Sequence, residues 1–142
     1  MDTNDRTRVV FHGAIVLFVG LLCGYPAVTE GDGGERLWHT AHEGLIMVGI
    51  MLFAITSVMP LLRLEPRERA GLVWSLVAMG YGLTVGLLIE GITGQRAFGV
   101  TTSPVLMVGF ITNAIGILSS MVAVGLTISG AYAARRAAVA AA

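Results

Sequence analysis

The sequence has little charge and almost no cysteine. Charged residues make up 13% of its 142 residues and hydrophobic ones 55%, and the mean hydropathy is +0.80. This balance excludes a soluble domain of the same length. Lysine is missing, and the nine arginines are spread along the chain, so no basic face is available for nucleic acid. The single cysteine, Cys23, excludes an internal disulfide and a multi-cysteine metal site.

Long apolar runs dominate the sequence instead. Four of them are long enough to cross the hydrocarbon core of a bilayer as helices, which takes about 20 residues each. A chain in lipid must satisfy its backbone polar groups internally, and a helix does this within one segment. We therefore expect an all-α integral membrane four-helix bundle, a single transmembrane domain over residues 1–142. The predicted helices cover residues 9–28, 37–62, 70–92 and 104–132.

Proline, glycine and charge predict where these helices end. Pro26 should end the first helix, and the Gly- and Asp-rich residues 29–36 should form an exposed loop. Residues 63–69 predict a charged connection to the third helix. Pro104 should be the first residue of the fourth helix, followed after residue 132 by a short alanine-rich tail. The first apolar run has no clear signal-peptidase site, so we expect it to remain as a helix.

The arginines gather on one side of the predicted bundle. Seven of them flank the chain ends and the connection between the second and third helices, whereas Arg36 and Arg96 fall in the other two loops. Positive charge is retained on the cytoplasmic side. We therefore expect both termini in the cytoplasm and the protein in the bacterial inner membrane. Small residues such as Gly82, Gly86 and Gly116 predict that the third and fourth helices pack closely.

Few ionisable or strongly polar side chains lie within the predicted spans. Such a group costs several kcal/mol in lipid unless it is paired or faces a cavity, so each one is a functional candidate. The antiparallel helices bring His39, His42, Glu43, Glu90 and Asn113 into the outer leaflet. Glu90, Asn113 and Glu43 are the candidate catalytic residues, with Glu90 as a general acid or base.

Structural roles are the alternatives for these polar groups. Glu90 could form an ion pair with Arg96 of the following loop, and Glu43 could reach water at the interface. Near the other membrane face, His12 could form a structural hydrogen bond or line a cavity. Tyr81, at mid-depth in the third helix, is expected to form an interhelical hydrogen bond.

His39 and His42 are the candidate metal ligands. They are three residues apart and can share one helix face. Zinc is weakly supported, because no third and fourth ligands occur at diagnostic spacing. Haem needs only one or two axial side chains, since the porphyrin supplies four nitrogens, and a membrane histidine among glycine, methionine and leucine suits it better. The alternatives are an interfacial His39 and a His42 that only hydrogen-bonds between helices.

The residues around His42 also carry a family resemblance. The segment Trp38-His39-Thr40-Ala41-His42-Glu43-Gly44 resembles the Trp-x-x-Ala-His-x-Gly stretch of the styrene oxide isomerases. His12-Gly13 matches a His-Gly of that family, Pro60 lies at the family's distance beyond the histidine, and Arg96 matches an external arginine. With the four-helix layout, the resemblance extends over most of the chain at low identity.

The resemblance implies a small membrane isomerase that forms a homotrimer and holds haem b between subunits. His42 would be the axial metal ligand, and Trp38 and Gly44 of the same motif would contact the cofactor. In that family ferric haem acts as a Lewis acid on an epoxide oxygen, and a 1,2-shift gives the carbonyl product without a redox cycle. The substrate would be a hydrophobic small molecule from the lipid phase, kept from water that would form a diol.

Two positions depart from the family. Its asparagine six residues after the haem histidine is Val48 here, and its tyrosine on helix three aligns with Leu88. Their loss bears on isomerisation more than on haem binding, and Glu90 could supply a replacement acid or base.

Two other functions stay open. One is a non-catalytic haem membrane protein for storage, sensing or electron transfer, and the other is a haem-free bundle in which Glu90 and Glu43 move a double bond.

Overall fold

The computed structural model describes residues 3–29, 35–99 and 101–141. This part of the chain forms four long helices: α1 (Thr3–Thr29), α2 (Glu35–Val58), α3 (Pro66–Thr93) and α4 (Pro104–Ala140). A short 3-10 turn, Met59–Leu61, continues α2. All four helices are long and apolar enough to cross a membrane. The predicted all-α, membrane-spanning class is therefore confirmed.

Two of the predicted helix ends were wrong. Helix α1 begins at Thr3 rather than at residue 9, and it continues through Pro26 to Thr29, so the proline does not end it. The alanine-rich tail is helical to Ala140, as the high helix propensity of alanine favours. Pro104 does open α4, and the predicted loop between α1 and α2 falls mainly on residues 30–34, outside the described residues.

The predicted connection before α3 was also too long, because its last four residues belong to the helix. Pro66 occupies the first turn, where its missing N–H costs nothing. The Glu68 carboxylate accepts a hydrogen bond from the Glu65 backbone N–H at 2.9 Å, and the two residues form a capping box. Gly94, with φ of 64°, provides the left-handed residue that ends the helix.

Helix α3 lies at the centre of the bundle. It contacts α1, α2 and α4, whereas α1 packs mainly on α2. Half of its most apolar stretch is buried, against 22–28% for the other three helices.

One end of the bundle, where α1 and α3 begin and α2 and α4 finish, holds most of the arginines and is called the arginine end. The opposite end, where α2 and α4 begin, is called the site end.

Helices α3 and α4 touch through their backbones, as their small residues predicted. A Cβ atom built on Gly82 would lie 2.8 Å from both Gly116 N and Thr112 O, and one on Gly116 would lie 2.7 Å from Leu83 Cγ. Such an approach maximises dispersion contacts, which drive helix association where lipid supplies no hydrophobic force. The α3–α4 pair is therefore one unit.

Replacing Gly82 by alanine should separate this pair. The added methyl group meets backbone atoms, which cannot move aside unless α4 moves as well. We expect Gly82→Ala to lower the free energy of unfolding by about 1–3 kcal/mol, the usual cost of overpacking, measured as a lower thermal midpoint in detergent.

Gly125→Ala is the matched control on α4. Its Cβ would have nothing within 4 Å, so the higher helix propensity of alanine should leave the midpoint unchanged or slightly raised. Equal losses in the two variants would mean that close α3–α4 packing does not limit stability.

Candidate functional site

Most of the predicted site residues lie at the site end of the bundle. His42 and Trp38 are on the first turns of α2, Glu90 is on the last turns of α3, and Asn113 is on the third turn of α4. Antiparallel connection of the helices accounts for this arrangement. The contacts of each side chain decide which of them can act together.

The His42 ring has a defined orientation and tautomer. Its Nδ1 lies 2.8 Å from the carbonyl oxygen of Gly20 on α1. Because a carbonyl oxygen can only accept, Nδ1 must carry the proton and donate it. In the neutral ring, Nε2 then holds a lone pair that is free to bind a metal. Metal-binding histidines in general donate their other ring N–H to such a second group, which fixes the ring and makes it a better ligand.

Helix α1 makes room for this ring with a glycine. A Cβ atom on Gly24 would lie 3.0 Å from both Cε1 and Nδ1 of His42, closer than side chains normally approach. Gly20, whose carbonyl accepts the bond, is also pressed against α2 at Leu45. Two glycines one helical turn apart therefore hold the imidazole between α1 and α2.

Trp38 and Gly44 lie on either side of His42 on α2. The Trp38 ring packs on Gly91 of α3, where a Cβ would lie 2.9 Å from the indole carbon Cδ2. Its Nε1 is buried and has no hydrogen-bond partner among the described residues. Gly44 faces Leu87, whose Cδ1 would be 3.2 Å from an added Cβ. One turn from His42 there is thus a buried N–H donor that a ligand acceptor would satisfy.

Glu90 and Asn113 form a second cluster, between α3 and α4. Glu90 is 2% exposed, and its Oε1 accepts hydrogen bonds from Asn113 Nδ2 at 3.0 Å and from the Ala97 backbone N–H at 3.2 Å. The Asn113 amide fills the space that a side chain on Gly86 would occupy. One carboxylate oxygen therefore joins α3, α4 and the loop between them.

The two clusters face different neighbours, and Glu43 belongs to neither. His42 points to α1, whereas Glu90 points to α4 and its preceding loop. Glu43 is exposed on the outer face of α2. His39 is also exposed, with Nε2 at 3.6 Å from Glu35 Oε1. The alternative ion pair of Glu90 with Arg96 does not form among the described residues.

His12 and Tyr81 lie nearer the middle of the bundle than the two clusters at the site end. His12 Nδ1 and the Tyr81 hydroxyl are 2.9 Å apart and share a hydrogen bond between α1 and α3. Their rings meet edge to face. The predicted interhelical role of Tyr81 is confirmed, and of the two roles open to His12 the hydrogen-bonding one is observed.

Comparison with known protein families assigns the chain to one family. A model of the styrene oxide isomerase family matches residues 5–132, most of the chain. No curated protein and no solved structure matches it. The chain belongs to the styrene oxide isomerase family. With its four membrane-crossing helices, it is an isomerase-like membrane protein.

The two positions expected to depart from the family pattern, Val48 and Leu88, are apolar packing positions. Val48 is partly buried against both hydrophobic clusters of the bundle. Leu88 packs on the cluster at the site end, which is formed by Val16, Cys23, Ala41 and Leu45. Both side chains therefore belong to the hydrophobic packing between α1, α2 and α3.

Sequence reasoning missed the partners of His42 and Glu90. Gly20 and Gly24 follow the small-x-x-x-small spacing of close helix contacts, a signal that could have placed α1 beside His42. The Ala97 N–H that binds Glu90 left no such signal, because every residue except proline carries a backbone donor.

Removing the Glu90 acceptor should destabilise the α3–α4 pair. In Glu90→Leu the Asn113 amide and the Ala97 N–H lose their partner inside the protein, and a buried unsatisfied donor costs about 1–3 kcal/mol. Glu90→Gln keeps an acceptor oxygen and should lose less. The thermal midpoint in detergent measures both.

Glu43→Leu is the control for loss of a carboxylate in the same half of the bundle. Glu43 is exposed, so the midpoint should not fall. A Glu90→Leu protein as stable as the wild type would contradict the bracing role of this side chain.

Proposed function

We propose that this member of the styrene oxide isomerase family binds haem b through His42 and isomerises a hydrophobic epoxide to a carbonyl compound. The observation that carries the proposal is the Nδ1–H bond from His42 to the Gly20 carbonyl. It leaves Nε2 as the metal-binding atom of a neutral imidazole.

The donor set favours haem over a bare metal ion. Zinc sites need three or four protein ligands, and the described residues contain no group of three or more His, Cys, Asp or Glu side chains that could hold an ion. Haem requires one axial histidine from the protein. His42 meets that requirement, and the buried Trp38 N–H lies one helical turn away on α2. Contact of Gly44 with the same group stays a prediction, since Gly44 packs on Leu87.

The chemistry that ferric haem would supply is that of a Lewis acid for an epoxide oxygen, which leads through ring opening and a 1,2-shift to an aldehyde or ketone. The chain's own part is to orient His42 and to exclude water. The hydrophobic cluster between α2 and its neighbours provides apolar surroundings on this side of the helix, with Leu45, Val48, Leu87 and Leu88 among its members. An electron-poor carbon in such surroundings is protected from the water that would otherwise convert it to a diol.

Orientation of the substrate must then come from shape. Val48 and Leu88 replace the polar pair of the family and offer no hydrogen bond to an epoxide. The proposed substrate is accordingly a compact hydrophobic epoxide that enters from the lipid phase of the bacterial inner membrane. Catalytic roles for Glu90, Asn113 and Glu43 stay predictions.

His42→Ala should lose both haem and epoxide isomerisation, because no other described residue at the site end has a half-buried imidazole held in orientation by a hydrogen bond to another helix. His39→Ala is the control and should keep both, since His39 is exposed and pairs only with Glu35. The Soret absorbance of the purified proteins measures haem, and conversion of an aryl epoxide to its aldehyde measures activity.

Gly24→Val tests the orientation of the His42 ring separately. The valine side chain would push on Cε1 and Nδ1 of His42, so haem affinity should fall by about 10- to 100-fold, as for other groups that orient metal ligands.

A normal Soret band in His42→Ala would contradict ligation of the haem iron by His42. A protein that binds haem but isomerises no epoxide would favour the non-catalytic haem function.

The proposal includes a homotrimer with haem between subunits. A porphyrin is large for the interior of one four-helix bundle, and a cavity shared by subunits is the simpler solution. Large apolar side chains face outward on α1 and α2 near the site, among them Phe18, Leu22 and Met47.

Native mass spectrometry in mild detergent should detect three chains together with haem. A denaturing run of the same sample is the control and should give the 14.9 kDa chain alone. A haem-loaded monomer would contradict the shared site.

A further inference from the structure

A cavity of about 510 Å³ opens at the arginine end of the bundle. It lies between the α2–α3 connection, the first turn of α3 and the C-terminal half of α4. Its walls combine an apolar part with two arginines, two glutamates and one serine. The lining residues are Leu62, Arg63, Leu64, Glu65, Glu68, Arg69, Ser129 and Ala133.

The connection that forms one wall is fixed to α4. The Arg63 backbone N–H donates to the Gly130 carbonyl at 3.1 Å. A Cβ on Gly130 would lie 2.9 Å from Leu64 Cδ2 and 3.0 Å from Leu62 Cβ, so the connection rests directly on the helix. The cavity is therefore a preformed feature, and the Arg63 side chain is not needed to hold it.

The cavity lining carries two arginines and two glutamates, so its formal charges cancel. Each glutamate side chain accepts a hydrogen bond from the other's backbone N–H in the capping box at the start of α3. The side chains of Arg63 and Arg69 form no ion pair within the described ranges. Two guanidinium groups with donors left for a ligand thus stand beside a hydrocarbon surface, and this combination suits a phosphodiester with an apolar tail.

The depth of the cavity matches the headgroup layer of a bilayer. Helix α4 has 37 residues, or about 55 Å of length, against about 30 Å for the hydrocarbon core. Ser129 and Ala133 lie about 38–44 Å from its first residue. If α4 starts in one headgroup layer, these residues lie in the opposite one, where lipid phosphates are found.

We propose that this cavity binds the phosphodiester group of an anionic phospholipid. Arg63 and Arg69 provide the charge-assisted hydrogen bonds, and Leu62, Leu64 and Ala133 contact the glycerol and the first methylene groups. The site is independent of the proposed haem chemistry at the opposite end, since it shares no residue with it. Arginine side chains in pockets between membrane helices are a general way to hold such headgroups.

Arg63→Gln and Arg69→Gln, each compared with Arg67→Gln, test the site. Arg67 lies between them in sequence, carries the same charge and does not line the cavity. Lipid binding to the full-length protein in detergent is measured by native mass spectrometry during titration with phosphatidylglycerol. We expect each cavity variant to weaken binding about tenfold, as for the loss of one charge-assisted hydrogen bond, and Arg67→Gln to bind like the wild type.

Two further arms separate the possible anions. Phosphatidylcholine, whose phosphodiester is neutralised by its own choline, should bind more weakly than phosphatidylglycerol. Inorganic phosphate at millimolar concentration should not displace the lipid. Equal weakening in all three variants would reveal general surface electrostatics and overturn the proposal, as would displacement of the lipid by free phosphate. Thermal midpoints without lipid verify that each variant is folded.

Discussion

A bilayer offers no hydrogen-bond partner to a group inside it, and the structure follows from this constraint. The four helices satisfy their own backbones, and several threonine and serine hydroxyls inside them donate to carbonyls of the same helix. Thr56 and Thr84, for example, donate to carbonyls four residues earlier at 2.6 and 2.7 Å. Only side chains that cannot bond within their own helix reach across to another one. His42, Glu90 and the His12–Tyr81 pair are of this kind, and each joins two helices.

Glycine decides where these cross-helix bonds can form. The His42 ring needs the bare surface of Gly24, the Asn113 amide needs Gly86, and the Trp38 ring needs Gly91. In a membrane, small residues let helices approach closely and gain dispersion energy. Here the same residues also create the recesses into which polar and aromatic groups fit. Packing and function therefore depend on one set of positions.

The sequence was enough to predict the number of helices, their membrane character and the close contact of α3 with α4, because apolar length and small-residue content carry that information. It was not enough to place the helix ends at Thr3 and Ala140, because polar and alanine-rich residues beyond a bilayer can be helical or not. Nor could it divide the polar residues into two clusters. Depth follows from position along a helix, but the neighbour that a side chain meets depends on helix rotation, which is set by packing. Thus His42 was found as a candidate while its acceptor on Gly20 was not.

That acceptor is a backbone carbonyl, which has a consequence for how the sequence of α1 can vary. No substitution at position 20 removes the oxygen itself, although a side chain there would meet Leu45 and push α1 away, so the tautomer of His42 does not depend on the chemistry of a partner side chain. It is encoded instead in the register between α1 and α2. A slide of α1 by one residue would present a different carbonyl at a different angle, whereas a change of side chain that leaves the register intact would not. Insertions and deletions in α1 should therefore be tolerated far less than replacements on its outer face.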